Sequence, residues 1–173
     1  ISTKGRFRAG DGWYLGWNGI FASDKTFLRD YSLDQRGVAR NRIYATQVED
    51  RNYISAELLD YQTLRNGLRQ EELPQALPYL QSSHIIKEQI LGGELGLDTT
   101  TYSLNRDIPI ASYKLGTQQT RTVTQLQWKK QVITANGIVF TPFTGVRTEL
   151  TSAENVPGAG ATNTSEAHVL PSA

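Results

Sequence analysis

The stretch GWYLGWNGIFA, Gly12 to Ala22, alternates apolar with polar or small residues, and this period of two constrains the fold most. Trp13, Leu15, Trp17 and Phe21 fall on one parity, with Tyr14, Gly16, Asn18 and Ala22 on the other. Side chains two apart share one face of an extended strand, so this is a strand with a single greasy face. Just before it, Gly10-Asp11-Gly12 separates the stretch from another run, GRFRA. An Asp-Gly step favours a tight turn, so the pair reads as a hairpin.

The pattern repeats along the chain. VARNRIYATQV and RNYISAELLDYQTL are separated only around Glu49 to Asn52, and a polar connection follows from Arg65 to Glu72. ALPYLQSSHII and LGGELGLDTTTYSL join around Lys87 to Ile90, and a second polar stretch covers Asn105 to Gln118. QTRTVTQLQWKK and ITANGIVFTPFTGVRTEL are divided near Gln131, and a Gly-rich polar tail begins at Thr151. The connections thus go short, long, short, long. Strands of roughly 10 to 16 residues exceed the ~5 to 6 of soluble sheets and suffice for a tilted membrane crossing. Short turns at one end and long loops at the other are the layout of a membrane barrel. The expected fold is all-β: an antiparallel transmembrane barrel wall over residues 1–150, with about seven full strands and partial strands at both ends. Residues 151–173 are expected to form a flexible loop and, at HVLPSA, the start of another strand.

Composition does not oppose this. Only 38% of the 173 residues are hydrophobic and the net charge is +1, which gives no electrostatic reason to expect nucleic acid. No run reaches the ~18 apolar residues of a membrane helix, a test to which barrel strands are blind because they average lipid-facing with lumen-facing residues. The first residue is Ile, and no charged-then-apolar leader opens the chain, so it reads as an internal or processed piece. Propensity alone pulls elsewhere: Ile54, Leu58, Tyr61, Leu64 and Leu68 fit a helical stripe, and SSHIIKEQIL is equally ambiguous. On pattern alone, a soluble α+β binding domain stays open.

Chemistry is thin. No cysteine is present, which removes thiol nucleophiles and thiolate metal sites, and no G-x-S-x-G elbow occurs. His84 and His168 are the only imidazoles, and His84 reads as a satisfied or lumen-facing residue rather than a base. Asp24, Asp30 and Asp34 miss the spacing of a calcium loop, Glu71 and Glu72 read as a solvated face, and GAGATN lacks the lysine of a phosphate-cradling loop. Neither a catalytic residue, a metal site nor a cofactor is expected.

The parities supply the candidate surfaces. Tyr53, Ser55 and Glu57 oppose Ile54 and Leu58; Glu94 and Asp98 oppose Leu95 and Leu97; Arg121, Gln125 and Lys129 oppose Trp128. In a barrel the first sets line the lumen and the second face lipid, with Trp13, Leu15, Trp17 and Phe21. Trp13 and Trp128 both border short turns and would share one interfacial rim. In a soluble sandwich the polar rows would face solvent instead.

ASDKTFLRDYSLD, NRIYATQVEDRNYISAELLDYQTLR and LPQALPYL resemble the barrel domain of LptD-type (OstA) lipopolysaccharide-assembly proteins, most closely those of α-proteobacteria. The resemblance runs from about Arg6 to Leu150, and it implies a wall segment of a Gram-negative outer-membrane barrel of roughly two dozen strands. It implies lipopolysaccharide as the transported ligand, delivered to the outer leaflet without covalent chemistry. It also implies an LptE-type lipoprotein plugging the lumen and an LptA-type periplasmic bridge as partners. By the same resemblance ISAELLDYQTL is a strand, and Ser23 to Asp34 is an extracellular loop packed over the mouth by Phe27, Leu28 and Tyr31. The family's jelly-roll domain, its lateral-gate strands and its cysteines have no counterpart here. A general porin is the alternative within the membrane class.

Overall fold

A computed structural model describes residues 1–22, 24, 37–75, 77–113, 115–158 and 164–172. Asp30, Asp34 and the loop residues Phe27, Leu28 and Tyr31 lie outside the described residues, as does most of GAGATN.

The molecule is one antiparallel meander of nine strands plus a small ribbon. The strands are β1 (Ser2–Gly10), β2 (Trp13–Ile20), β3 (Val38–Glu49), β4 (Asn52–Thr63), β5 (Leu77–Ile90), β6 (Gly93–Asn105) and β7 (Gln118–Lys129), then β10 (Phe143–Glu154) and β11 (Thr164–Ser172). The ribbon pairs β8 (Val132–Ile133) with β9 (Val139–Phe140). Every strand of the large sheet pairs with its neighbours in sequence, and β1 and β11 are its open edges. The only helical elements among the described residues are two three-residue 3₁₀ turns, Gln70–Glu72 and Ala111–Tyr113.

The helix propensity of Ile54 to Arg69 loses to the sheet. β4 occupies Asn52–Thr63 and pairs with β3 along its whole length. Ladder pairing on both sides outweighs the few tenths of a kcal/mol per residue that separate helix formers from strand formers. SSHIIKEQIL is likewise strand, and the turn placed at Lys87 to Ile90 sits later, at Leu91-Gly92, where both φ angles are positive (53° and 70°). The polar run that resembled a turn is instead a break in the β5–β6 register between Ile86 and Ile90. β1 extends beyond the GRFRA run, and β11 begins at Thr164, ahead of HVLPSA.

One connection departs from the short-turn rule. At that rim β1–β2, β3–β4 and β5–β6 close through Asp11-Gly12, Asp50-Arg51 and Leu91-Gly92. The β7–β10 hairpin does not close near Gln131. The register that pairs Lys129 with Phe143 continues through the Lys130 N–H bond to Pro142 O (3.0 Å) into Val132↔Phe140 and Ile133↔Val139. The ribbon is therefore an arm of the same hairpin that runs past the rim and reverses at Thr134–Ile138, where the Thr134 N–H donates to Ile138 O (2.9 Å). Since the β7–β10 ladder is complete below it, replacing residues 131–141 with a two-residue Asn-Gly turn is expected to change sheet stability by less than ~0.5 kcal/mol. Urea midpoints of parent and deletion should then coincide.

There is almost no interior. Among the described residues only Ala39, Leu59 and Leu64 are buried apolar residues. The other large hydrophobic side chains of the sheet whose burial is described are half-buried or exposed instead, and their arrangement defines the site.

Candidate functional site: a two-faced barrel wall

Register sorts the side chains. On one face a row crosses the sheet as Gly5, Trp17, Ile43, Leu58 and Pro78, and another as His84, Leu97, Leu126 and Val146. Of the exposed strand residues, Phe7, Trp17, Ile43, Leu58, Leu80, Leu126, Val146 and Leu150 belong to this face, whereas Val48 and Phe143, at the short-turn rim, fall on the opposite one. Ile43 is 63% and Leu58 56% exposed although both sit in mid-sheet. A continuous apolar face of this extent left in water would be an aggregation surface.

Aromatic rings tighten it. The Trp17 indole lies across Gly5 on β1, where any side chain would overlap the ring, and its Nε1–H donates to Thr3 Oγ1 at 3.2 Å. Phe7 meets the same indole edge-on at 6.4 Å. Trp128 covers Gly93 in the same manner and donates to Ile90 O at 2.7 Å. Toward the long-loop end the face turns hydroxylic: Thr101 with Thr122, and Ser103 with Thr120, pair across β6–β7 at 3.1 Å. Each hydroxyl thus finds a partner without needing water.

The opposite face is polar. One row reads Arg6, Gly16, Tyr44, Glu57, Tyr79, Tyr102, Arg121, Thr151 and Glu166. Its charges form networks. Glu57 is shared by Arg40 (3.1 Å) and Arg42 (3.3 Å); Glu149 binds Arg121 (2.7 Å) and is approached by Arg147 (3.9 Å). Glu94 is held by Arg51 and by Lys129 (3.1 Å), at the edge of a cleft of about 840 Å³ at the short-turn rim. Tall neighbours bury Ser55 to 1% exposure, and its hydroxyl has no partner within the protein. At the other end, burial lowers the pKa of the Arg106 guanidinium in the β6–β7 connection.

Glu57→Gln is expected to destabilise the sheet by about 1 kcal/mol, because two guanidiniums would then face each other across a neutral amide while water at the half-exposed Arg40 screens part of the repulsion. Adding Arg42→Gln should recover most of the loss in urea unfolding.

Every candidate from the sequence falls on one of these two faces. Tyr53, Ser55, Glu57, Glu94, Asp98, Arg121, Gln125 and Lys129 share the polar face. Trp13, Leu15, Trp17, Ile54, Leu58, Leu95, Leu97 and Trp128 share the apolar one, with Phe21 following β2 on the same parity. Trp13 and Trp128 stand at the same rim. His84 pairs with Leu97 on the apolar face, because its parity follows Leu80 and Ser82. The cations Lys4, Arg6, Arg8, Arg40 and Arg42 were missed. Their K-x-R-x-R and R-x-R spacing was the available signal, since period two puts each set on one face.

An open antiparallel meander of long strands, apolar on one face and charged on the other, with tight turns at one rim, is a partial β-barrel wall of outer-membrane type. The family model described as LptD, LPS transport system D, matches residues 1–173, and the chain belongs to that family. LptD proteins are outer-membrane proteins of Gram-negative bacteria, and the chain accordingly has a role in lipopolysaccharide transport. Neither a curated protein nor a solved structure matches it.

Proposed function

We propose that this sheet is an arc of the barrel wall in the translocon that inserts lipopolysaccharide into the outer leaflet of the outer membrane. The apolar face meets lipid, the polar face lines the lumen, the tight turns point to the periplasm and the long connections point outward. The observation that carries this reading is the sorting of exposed apolar and charged side chains onto opposite faces of one sheet. Dimensions support it. A twelve-residue strand such as β4 spans about 40 Å, or about 30 Å at a ~40° tilt, enough for an apolar band of ~25 Å.

Open edges cannot stand in hydrocarbon, because each unpaired backbone N–H and C=O would go unsatisfied there. β1 and β11 therefore pair with further strands of the complete wall. The connection that leaves β10 at Asn155 is one of the outward ones, and the wall continues through β11. An LptE-type lipoprotein within the lumen and an LptA-type bridge at the periplasmic rim are the partners that accompany this role. No step of the proposed role calls for bond-making chemistry or a cofactor.

A general porin would have a similar wall; membership of the lipopolysaccharide-transport family favours the translocon. Depleting the protein in cells separates the two. Loss of surface lipopolysaccharide, with the lipid accumulating behind the outer membrane, is the expected result. Unchanged surface lipopolysaccharide with reduced solute uptake would reject the translocon and leave the porin.

A further inference from the structure

The β8–β9 arm has no part in the barrel wall. The β7–β10 ladder is complete without it, so its side chains are free for another surface. Between ladder and arm, Lys130 and Gln131 face Thr141 and Pro142, joined by the Lys130 N–H to Pro142 O bond. Pro142 has no N–H to return, which makes this break a joint where the arm can bend. Beyond the joint the ribbon keeps a defined shape. The Thr134 hydroxyl accepts from the Ile138 N–H at 3.1 Å and donates to Ile138 O at 3.3 Å, and Gly137 takes the positive φ of the reversal (80°).

Register fixes what each side of the arm carries. Val132 and Phe140 continue the parity of Leu126 and Trp128 on the apolar face, and Ile133 and Val139 continue the polar one. From mid-sheet toward the rim the apolar parity therefore runs Leu126, Trp128, Lys130, then Val132 beside Phe140. That order is hydrocarbon, aromatic girdle, a cation at the level of lipid phosphates, and then apolar side chains once more. A strand end that simply left the membrane would turn polar there; instead Phe140 is 61% and Ile138 63% exposed. The neighbouring β5–β6 turn adds Leu91, 84% exposed. Lys130 Nζ donates to Leu91 O at 3.3 Å and Trp128 Nε1 to Ile90 O at 2.7 Å, which ties that turn to the root of the arm.

We infer that the arm is a membrane-surface anchor. It bends outward at Pro142 and lays Val132, Ile138 and Phe140 into the phospholipid headgroup boundary at the tight-turn rim, with Lys130 against a lipid phosphate. The inference rests on the lipid-face reading above. Bending outward turns the apolar-face parity toward the bilayer, so continuity with the lipid face selects the partner, and the ammonium set among apolar side chains complements a phospholipid surface. Lys130 spends one donor on Leu91 O and keeps others for a phosphate. Insertion into hydrocarbon proper is excluded, because the outer edges of the ribbon would leave backbone N–H and C=O groups unpaired; at the ~5–10 Å depth of an interfacial element, water reaches them. A periplasmic protein fits less well. Val132, Ile133, Ile138, Val139 and Phe140 fall short of the ~1,000 Å² of a stable protein interface, whereas an anchor only supplements a wall already held in the membrane.

The test places a small fluorophore on Val132→Cys, on Ile133→Cys and, as a control, on Leu58→Cys, each in the full-length protein in vesicles of brominated phosphatidylcholine. Lipid quenching at position 132 should exceed that at 133 about threefold, with 133 open to aqueous iodide. Adding Ile138→Asp and Phe140→Asp to Val132→Cys should release the arm, so that lipid quenching there falls about threefold and iodide quenching rises. Unchanged heat-modifiable mobility shows that the sheet of this variant is still folded. Equal iodide quenching at 132 and 133 without the aspartates, or no effect of the aspartate pair, overturns the inference. So does an arm shielded from both quenchers in native outer-membrane vesicles yet open to iodide in pure lipid, which would mark a protein partner. Quenching by lipid at 58 but not at 132 rejects the anchor alone; absence of lipid quenching at 58 as well rejects the lipid-face reading beneath it.

Discussion

Leu58→Arg in the full-length protein is expected to lower the stability of the bilayer-inserted fold by about 2–4 kcal/mol, the cost of a guanidinium on the lipid face near mid-membrane. Leu58 sits centrally on β4, flanked in its row by Ile43 and Pro78, and is 56% exposed. No carboxylate shares that row; Asp60, two residues on along the same face, lies toward the outward end of β4 and already accepts from the Asn41 amide at 3.3 Å. The matched control is Gln81→Arg on the polar face of the next strand, opposite Ser55. There the new cation stays hydrated, and the expected change is below ~0.5 kcal/mol. Urea titration in phosphatidylcholine vesicles, read by heat-modifiable mobility, gives both values. Equal effects at the two sites would mean that the faces are assigned wrongly.

The second large effect is at the first turn. Gly12 has φ 76°, and a Cβ there would lie 2.5 Å from the Val48 carbonyl oxygen on β3. Gly12→Ala thus combines left-handed strain with a backbone overlap, and should cost about 3 kcal/mol. Gly10 also has positive φ (94°) but nothing near its open side, so Gly10→Ala should cost only about 1 kcal/mol. The same titration compares them; indistinguishable values would show that the turn does not pack against β3.

Much of this was legible in the sequence because the informative signals are local. Trp13, Leu15 and Trp17 declare a strand by period alone, and Asp11-Gly12 fixes how it pairs, so the faces of the first hairpin follow without a structure. Glu57 was readable as polar-face, yet its place between Arg40 and Arg42 depends on the β3–β4 register. The ISAELLDYQTL segment needed the family resemblance, because its spacing serves a helix as well as a strand and only ladder pairing decides. The arm beyond Lys129 was invisible because Val132, Ile133, Val139 and Phe140 look like ordinary strand residues. Nothing local says that the ladder runs past the rim before turning.

The central claim is that one face of this sheet meets lipid and the other meets water. The chain contains no cysteine, so single cysteines can be placed at will: Leu58→Cys and Leu126→Cys on the apolar face, Gln81→Cys and Gln125→Cys on the polar face. Each is labelled with a small fluorophore in the full-length protein and reconstituted into vesicles of brominated phosphatidylcholine. The account predicts strong quenching by the brominated chains at positions 58 and 126, and at 81 and 125 little lipid quenching but ready quenching by aqueous iodide. Similar lipid quenching at all four positions, or the opposite pattern, would contradict it.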